Sequence, residues 1–249
     1  MRAYIFSRRN AKEILRDPIN MFFGLLFPLI LMSLFLIINS AIPPEAKNPM
    51  FEPKQMVPGV AMFSTVFMAL FSGTLLSKDR TSSFFMRLFT SPMHPVDFII
   101  GYTLPMIVFA VTQSTILFVA ATFVGLPFTV NTLLAVLATI PISIMFVGIG
   151  LLCGSLTNEK AVGSICGALL TNVAGWLSGT WIPIDLIGGG FRTVSNVLPF
   201  YHAVETARLA IDGKYVDLLP HLLIVFAYTF IIYVLAVIVF RHKMSGDNI

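Results

Sequence analysis

From residue 98 to residue 158 the chain carries no Asp, Glu, Lys or Arg. A bilayer hydrocarbon core about 30 Å thick is crossed by roughly 20 apolar residues in helix. The run is therefore long enough for two spans, joined at the turn-forming stretch from Gly125 to Asn131. Further uncharged windows of spanning length lie at 20–41, 56–77, 161–184 and 221–240. Together they predict six transmembrane helices. Pro28, Pro105 and Pro141 fall inside these windows and read as kinks, because neighbouring helices can satisfy the carbonyls they free. No segment alternates as a barrel strand would. The expected fold class is all-α, a single polytopic membrane domain over 1–249.

Composition agrees. The chain is 57% hydrophobic and 11% charged, against about 25% charge in soluble domains. Its mean hydropathy is +0.88. The first window follows a long charged segment without a convincing small-x-small cleavage site, so it is expected to be retained rather than removed as a signal peptide.

Orientation follows from the basic residues flanking the spans. With the N-terminus inside, eleven Lys and Arg face the cytoplasm and five face out, a net charge of +5 inside and −1 outside. Both termini are then cytoplasmic. The basic excess is accounted for by membrane orientation and calls for no nucleic acid.

The spans lack the intramembrane carboxylates and cations that ion-coupled transport requires. No G-x-S-x-G or H-E-x-x-H pattern occurs, and all four histidines lie in loops or at span ends. No metal site or catalytic residue is expected. Gly213-Lys214 lacks the glycine spacing and the Ser or Thr of a phosphate-binding loop. Gly188-Gly189-Gly190 has no lysine and reads as a flexible external turn. The chain has no fuel-burning site of its own.

One cytoplasmic segment breaks the apolar pattern. Between spans two and three, Ser82 or Ser83 can cap a short helix that Pro92 ends. Phe84, Phe85, Leu88 and Phe89 share an arc of about 140°, with Arg87 opposite. Such a helix can rest on the lipid interface or plug a hydrophobic groove on a soluble partner.

Three stretches carry a resemblance to a known family over nearly the whole chain: LRDPINMFFGLLFPL (15–29), DRTSSFFMRLFTSPMHPVDFIIG (79–101) and IPIDLIGGGFRTVSNVLPFYHAVETAR (182–208). In their order and six-span frame they resemble the ABC-2 type permeases of ATP-binding-cassette exporters (type V exporter architecture), in the daunorubicin-resistance or multidrug-like branch. The sequence departs from the family at Met86, where an acid is frequent, and at Tyr102, where a lysine is frequent.

The resemblance implies roles. Segment 1–19 looks like the interfacial connecting helix, which would equally serve as a lipid anchor. Segment 80–92 looks like the coupling helix, through which Ser82, Ser83, Phe84, Phe85, Arg87, Leu88 and Phe89 would dock on a separate cytoplasmic ABC ATPase subunit. Segment 183–217 looks like the external re-entrant helices, with Pro199, Tyr201, Glu205 and Arg208 as a gate. Pro199 would start the last of these helices, and Glu205 and Arg208 pair at three-residue spacing. The chain itself would bind no cofactor, with ATP and Mg on the partner. A second permease copy, as a homodimer or heterodimer, would complete the pathway.

Gly150-x-x-x-Gly154, Gly163-x-x-x-Gly167 and Gly175-x-x-x-Gly179 permit close helix approach, within one subunit or between two. Cys153 and Cys166 read as small buried residues rather than a disulfide. Phe63, Phe67 and Phe71 on span two, with Asn172, Trp176 and Thr180 on span five, are the candidate pathway lining, with lipid contact or ordinary helix packing as the alternative. With 2 Trp and 6 Tyr against 23 Phe, the composition favours an amphipathic drug, peptide or lipid-like substrate over a polysaccharide or teichoic-acid-type chain. The expected setting is a bacterial cytoplasmic membrane. A non-transporting scaffold and a passive channel are the alternatives from other classes.

Overall fold

The computed structural model describes residues 2–43, 49–82 and 94–246. Among them the chain is helices joined by short turns, with no strand. The first helix, α1 (Arg2–Arg16), is amphipathic. Asp17 ends it and caps the next, its carboxylate accepting from the Ile19 and Asn20 amides at 2.9 and 3.4 Å, while Pro18 supplies the fixed φ of a helix start.

Five helices are long and apolar enough to cross a membrane: α2 (Pro18–Ala41), α3 (Pro53–Arg80), α4 (Pro95–Thr122), α5 (Val130–Leu156) and a last one over Tyr215–His242. Side chains close the ends of two of them. Asp97 accepts the His94 amide at 3.0 Å where α4 begins, and the Thr129 hydroxyl accepts the Thr132 amide at 3.4 Å where α5 begins. Gly125, at φ +105, turns between these two helices.

The remaining expected span, 161–184, differs. It is a helical run, α6, over 159–177, opened by Asn158 accepting the Ala161 amide at 2.9 Å. Glu159 and Lys160 stand in its first turn. It is not among the five helices that meet the length and hydropathy of a span. Its length is within the range that can span a bilayer, and its charged first turn with the polar Thr171 and Asn172 sets it apart. The stretch assigned to its far end instead turns at Gly179, φ +72, and folds back against α3. Three short helices follow, α7 (Ile184–Ile187), α8 (Gly189–Val197) and α9 (Pro199–Asp212), before α10 (Tyr215–Gly246). Gly188 and Gly189, both at positive φ and with open space around them, join α7 to α8.

The bundle is organised around α3. Its most apolar window is 89% buried, against 17% for α2 and 11% for the last spanning helix. The peripheral helices turn large apolar side chains outward, such as Ile37, Val108 and Phe230. Lipid is the solvent that suits such a surface. Glycine sets the closest internal contact. A Cβ on Gly73 would sit 2.7 Å from the Gly150 carbonyl oxygen, and one on Gly150 would strike the Ala69 carbonyl. The Gly150-x-x-x-Gly154 stripe therefore packs α5 on α3 inside this chain. Gly163 faces open space.

In α2 the helix widens to a π turn over Phe22–Leu26, where the Phe27 amide reaches back to the Phe22 carbonyl. Pro28 has no N–H to give the Gly24 carbonyl, which accounts for the local shift. Cys153 and Cys166 are both free thiols, Cys166 buried.

Candidate functional site

A group of polar side chains converges at the end of the bundle where α1 lies. Asp79, 3% exposed in the last turn of α3, accepts both terminal nitrogens of Arg9 at 2.6 and 2.8 Å. It also accepts the hydroxyl of Tyr102 on α4 at 2.8 Å. One carboxylate thereby joins α1, α3 and α4. Bidentate geometry and a phenol donor satisfy a charge that would otherwise be costly to bury. Burial opposes the Arg9 cation, but the hydrogen bond and charge of Asp79, with Glu13 at 2.6 Å, outweigh it and hold the guanidinium above its ordinary pKa.

Two further contacts fasten α1 to α4. The Asn10 amide donates to the Gly101 carbonyl at 3.1 Å, and the Phe6 ring occupies the space a side chain at Gly101 would fill. Phe6 meets Phe98 and Tyr102 edge-on at 5.7 and 4.9 Å. The next residue of α3, Arg80, donates to the Gly154 and Ser155 carbonyls at 2.7 and 2.6 Å. Those carbonyls are the unpaired end of α5, where a cation is favoured. The frequent-lysine position, Tyr102, thus holds the carboxylate of Asp79 through its hydroxyl.

Ser83, Phe84, Phe85, Arg87, Leu88 and Phe89, the body of the expected coupling helix, lie outside the described residues, as does Met86. Ser82 is described. Its hydroxyl donates to the Asp79 carbonyl at 2.7 Å, so it closes α3. The segment is thus bracketed by two fixed points, Asp79–Ser82 on α3 and His94–Asp97 on α4.

The six candidate lining residues do not form one surface. Phe63, Phe67 and Phe71 share a stripe, but they are buried, 7% exposed or less, against aromatic rings of the same chain. Phe23 stacks on Phe67 at 5.1 Å, Phe109 meets Phe71 edge-on at 6.2 Å, and Trp181 meets Phe63 at 4.7 Å. Within one chain this is helix packing. Asn172 is exposed and spends its amide on the Ala168 carbonyl at 2.8 Å. Trp176 is 49% exposed one turn further on. Thr180 is buried, 2.8 Å from the Ser178 hydroxyl and 3.5 Å from the Gly59 carbonyl.

The residues expected to form the external gate lie on one helix. Pro199 opens α9 at its first position. Arg208 pairs with Glu205 at 2.9 Å, and it also donates to the Gln55 carbonyl at 3.2 Å and the Gly179 carbonyl at 3.1 Å. It is 12% exposed and ties α9 to the first turn of α3 and to the turn that follows α6. Tyr201 lies beside the rings of His202 and His221, whose Nδ1 atoms are 2.8 Å apart. Burial, with the charges of Glu205 and Asp185, pushes the Tyr201 phenol above its ordinary pKa and keeps it protonated. The histidine pair and the reach of Arg208 across three elements had no local sequence signal, because their partners are far apart in the chain.

A family model, the ABC-2 type transporter, matches residues 2–211, which take in every element described above except α10. No curated protein matches the chain.

Proposed function

Because the chain belongs to the ABC-2 type transporter family and so is the multi-pass permease domain of an ABC transporter, we propose that it is half of an ATP-driven exporter. Its energy comes from a separate cytoplasmic ATPase that docks through segment 80–92. Closure of two ATPases would push that segment, and the push would enter the membrane through its two fixed ends. The observation that supports this most is the Asp79 carboxylate, which holds Arg9 and Tyr102 at once while Arg80 holds the end of α5. A force at the segment would reach α1, α3, α4 and α5 together.

The exit would open where Arg208 now binds α9 to α3 and α6. The second permease copy would sit on the open face of α6, where Gly163, Asn172 and Trp176 are exposed. Between two such faces the substrate would be an amphipathic drug, peptide or lipid-like compound, moved out across a bacterial cytoplasmic membrane. The support for this class is the surplus of Phe over Trp and Tyr.

Co-purification tests the docking. The Phe85→Asp/Phe89→Asp variant should lose most of the bound ATPase while retaining the thermal midpoint of the native permease. Unchanged co-purification would count against docking at this segment.

A further inference from the structure

Two cavities meet on α1. The larger, about 830 Å³, is lined by Arg8, Arg9, Lys12, Arg16 and Lys78, with Glu13 and Asp17 as its only carboxylates. Both acids are engaged, Glu13 with Arg9 and Asp17 with the amides that open α2. Arg8, Lys12, Arg16 and Lys78 enter no ion pair among the described residues. The cavity therefore has an excess of positive charge, with four of its cations outside any ion pair among the described residues.

The second cavity, about 430 Å³, is an apolar cleft between α1, α2 and α4. Tyr4 and Leu15 form one wall, and Leu25, Leu104, Val108 and Thr112 the others. The three α4 residues recur every four positions, so the cleft follows that helix for about 12 Å into the span. Val108 is 61% exposed along it. Arg8 lines both cavities and marks the point where the charged one becomes the apolar one.

We propose that this paired site binds an anionic phospholipid of the cytoplasmic leaflet, its phosphate among Arg8, Lys12, Arg16 and Lys78 and an acyl chain in the cleft along α4. The reading rests on the membrane embedding of the chain and is independent of the direction of transport. A soluble anion would use the basic cavity and leave the cleft empty. A docked soluble protein would cover the cations but could not follow α4 into the bilayer. A lipid satisfies both halves at once. The bound lipid would hold α1 against α4, beside the contacts of Phe6 and Asn10 with Gly101.

Native mass spectrometry on the delipidated full-length protein tests this with three probes: phosphatidylglycerol, phosphatidylcholine of the same chain length, and glycerol 1-phosphate. Phosphatidylglycerol should bind more tightly than phosphatidylcholine. Arg8→Gln/Lys12→Gln should weaken it about thirty-fold, since each cation near an anionic lipid surface contributes about a five-fold factor. Val108→Trp, which fills the cleft from an exposed position, should weaken phosphatidylglycerol and leave glycerol 1-phosphate unchanged. Circular dichroism and thermal midpoint establish that each variant is folded.

Glycerol 1-phosphate binding as tightly as the lipid would show an anion pocket and overturn the proposal. So would a lipid preference unchanged in both variants. If the charge variant kept its lipid but lost the ATPase, the cavity would be a protein docking surface, and the proposal would fall.

Discussion

Asp79 and Tyr102 stand 23 positions apart on antiparallel spans, and the phenol hydroxyl donates to the carboxylate at 2.8 Å in a setting from which both side chains are almost wholly excluded from solvent. The bond fixes the end of α3 to the start of α4, on either side of the segment proposed to receive the ATPase. Removing its hydroxyl tests whether that link matters. Tyr102→Phe should lower stability by about 2 kcal/mol, the scale of a hydrogen bond to a charged group. It should also reduce ATP-driven transport while the ATPase still co-purifies. Unfolding midpoints, transport and co-purification measured on one preparation separate the three effects.

The glycine contacts make a contrasting pair. Gly150→Ala forces a methyl into the Ala69 backbone and should destabilise the fold by about 3 kcal/mol, as overpacking without a flexible neighbour does. Gly163→Ala meets nothing within 4 Å and should leave the single chain unaffected. If α6 carries the second copy, the larger Gly163→Leu should lower dimer cross-linking without moving the thermal midpoint.

Arg208 is the outer fastening. Arg208→Met removes its donors from Glu205 and from two backbone carbonyls, and should cost about 2 kcal/mol. Lys cannot reproduce the planar fork and should restore only part of this. In a background without Cys153 and Cys166, Thr180→Cys should become reactive to an impermeant maleimide added outside when Arg208 is Met, and stay protected when it is Arg.

Topology has a direct check. Leu186→Cys, at a site 73% exposed on α7, should label from outside in intact cells. Lys12→Cys on α1 should label only after permeabilisation. The reverse pattern would place α1 and segment 80–92 on the far side from any ATP.

What the sequence displayed well was whatever a single helix records along its own length. The uncharged runs that became α2 to α5 and α10 are one-dimensional signals, and so is the Glu205–Arg208 pair at i, i+3. The span expected over 161–184 runs past the helix, because hydropathy does not show that Gly179 turns and Trp181 folds back onto Phe63. In the sequence Asp79 is one charge beside Lys78 and Arg80. Its partners at positions 9 and 102 are set by how three helices cross, which no local pattern encodes. The same holds for the phenylalanine stripe of α3: its spacing was legible, but not the rings of Phe23 and Phe109 that cover it.

The central claim is that this permease moves solute only when a separate ATPase works it through segment 80–92. Vesicles reconstituted with the permease, the ATPase and a fluorescent amphipathic cation measure this directly. ATP supplied on the cytoplasmic face should drive dye across the membrane, with no movement when the ATPase is omitted or when Phe85→Asp/Phe89→Asp replaces the native chain. Dye movement without the ATPase would show a passive channel and contradict the account, and ATP-driven movement undiminished in the variant would contradict the coupling segment.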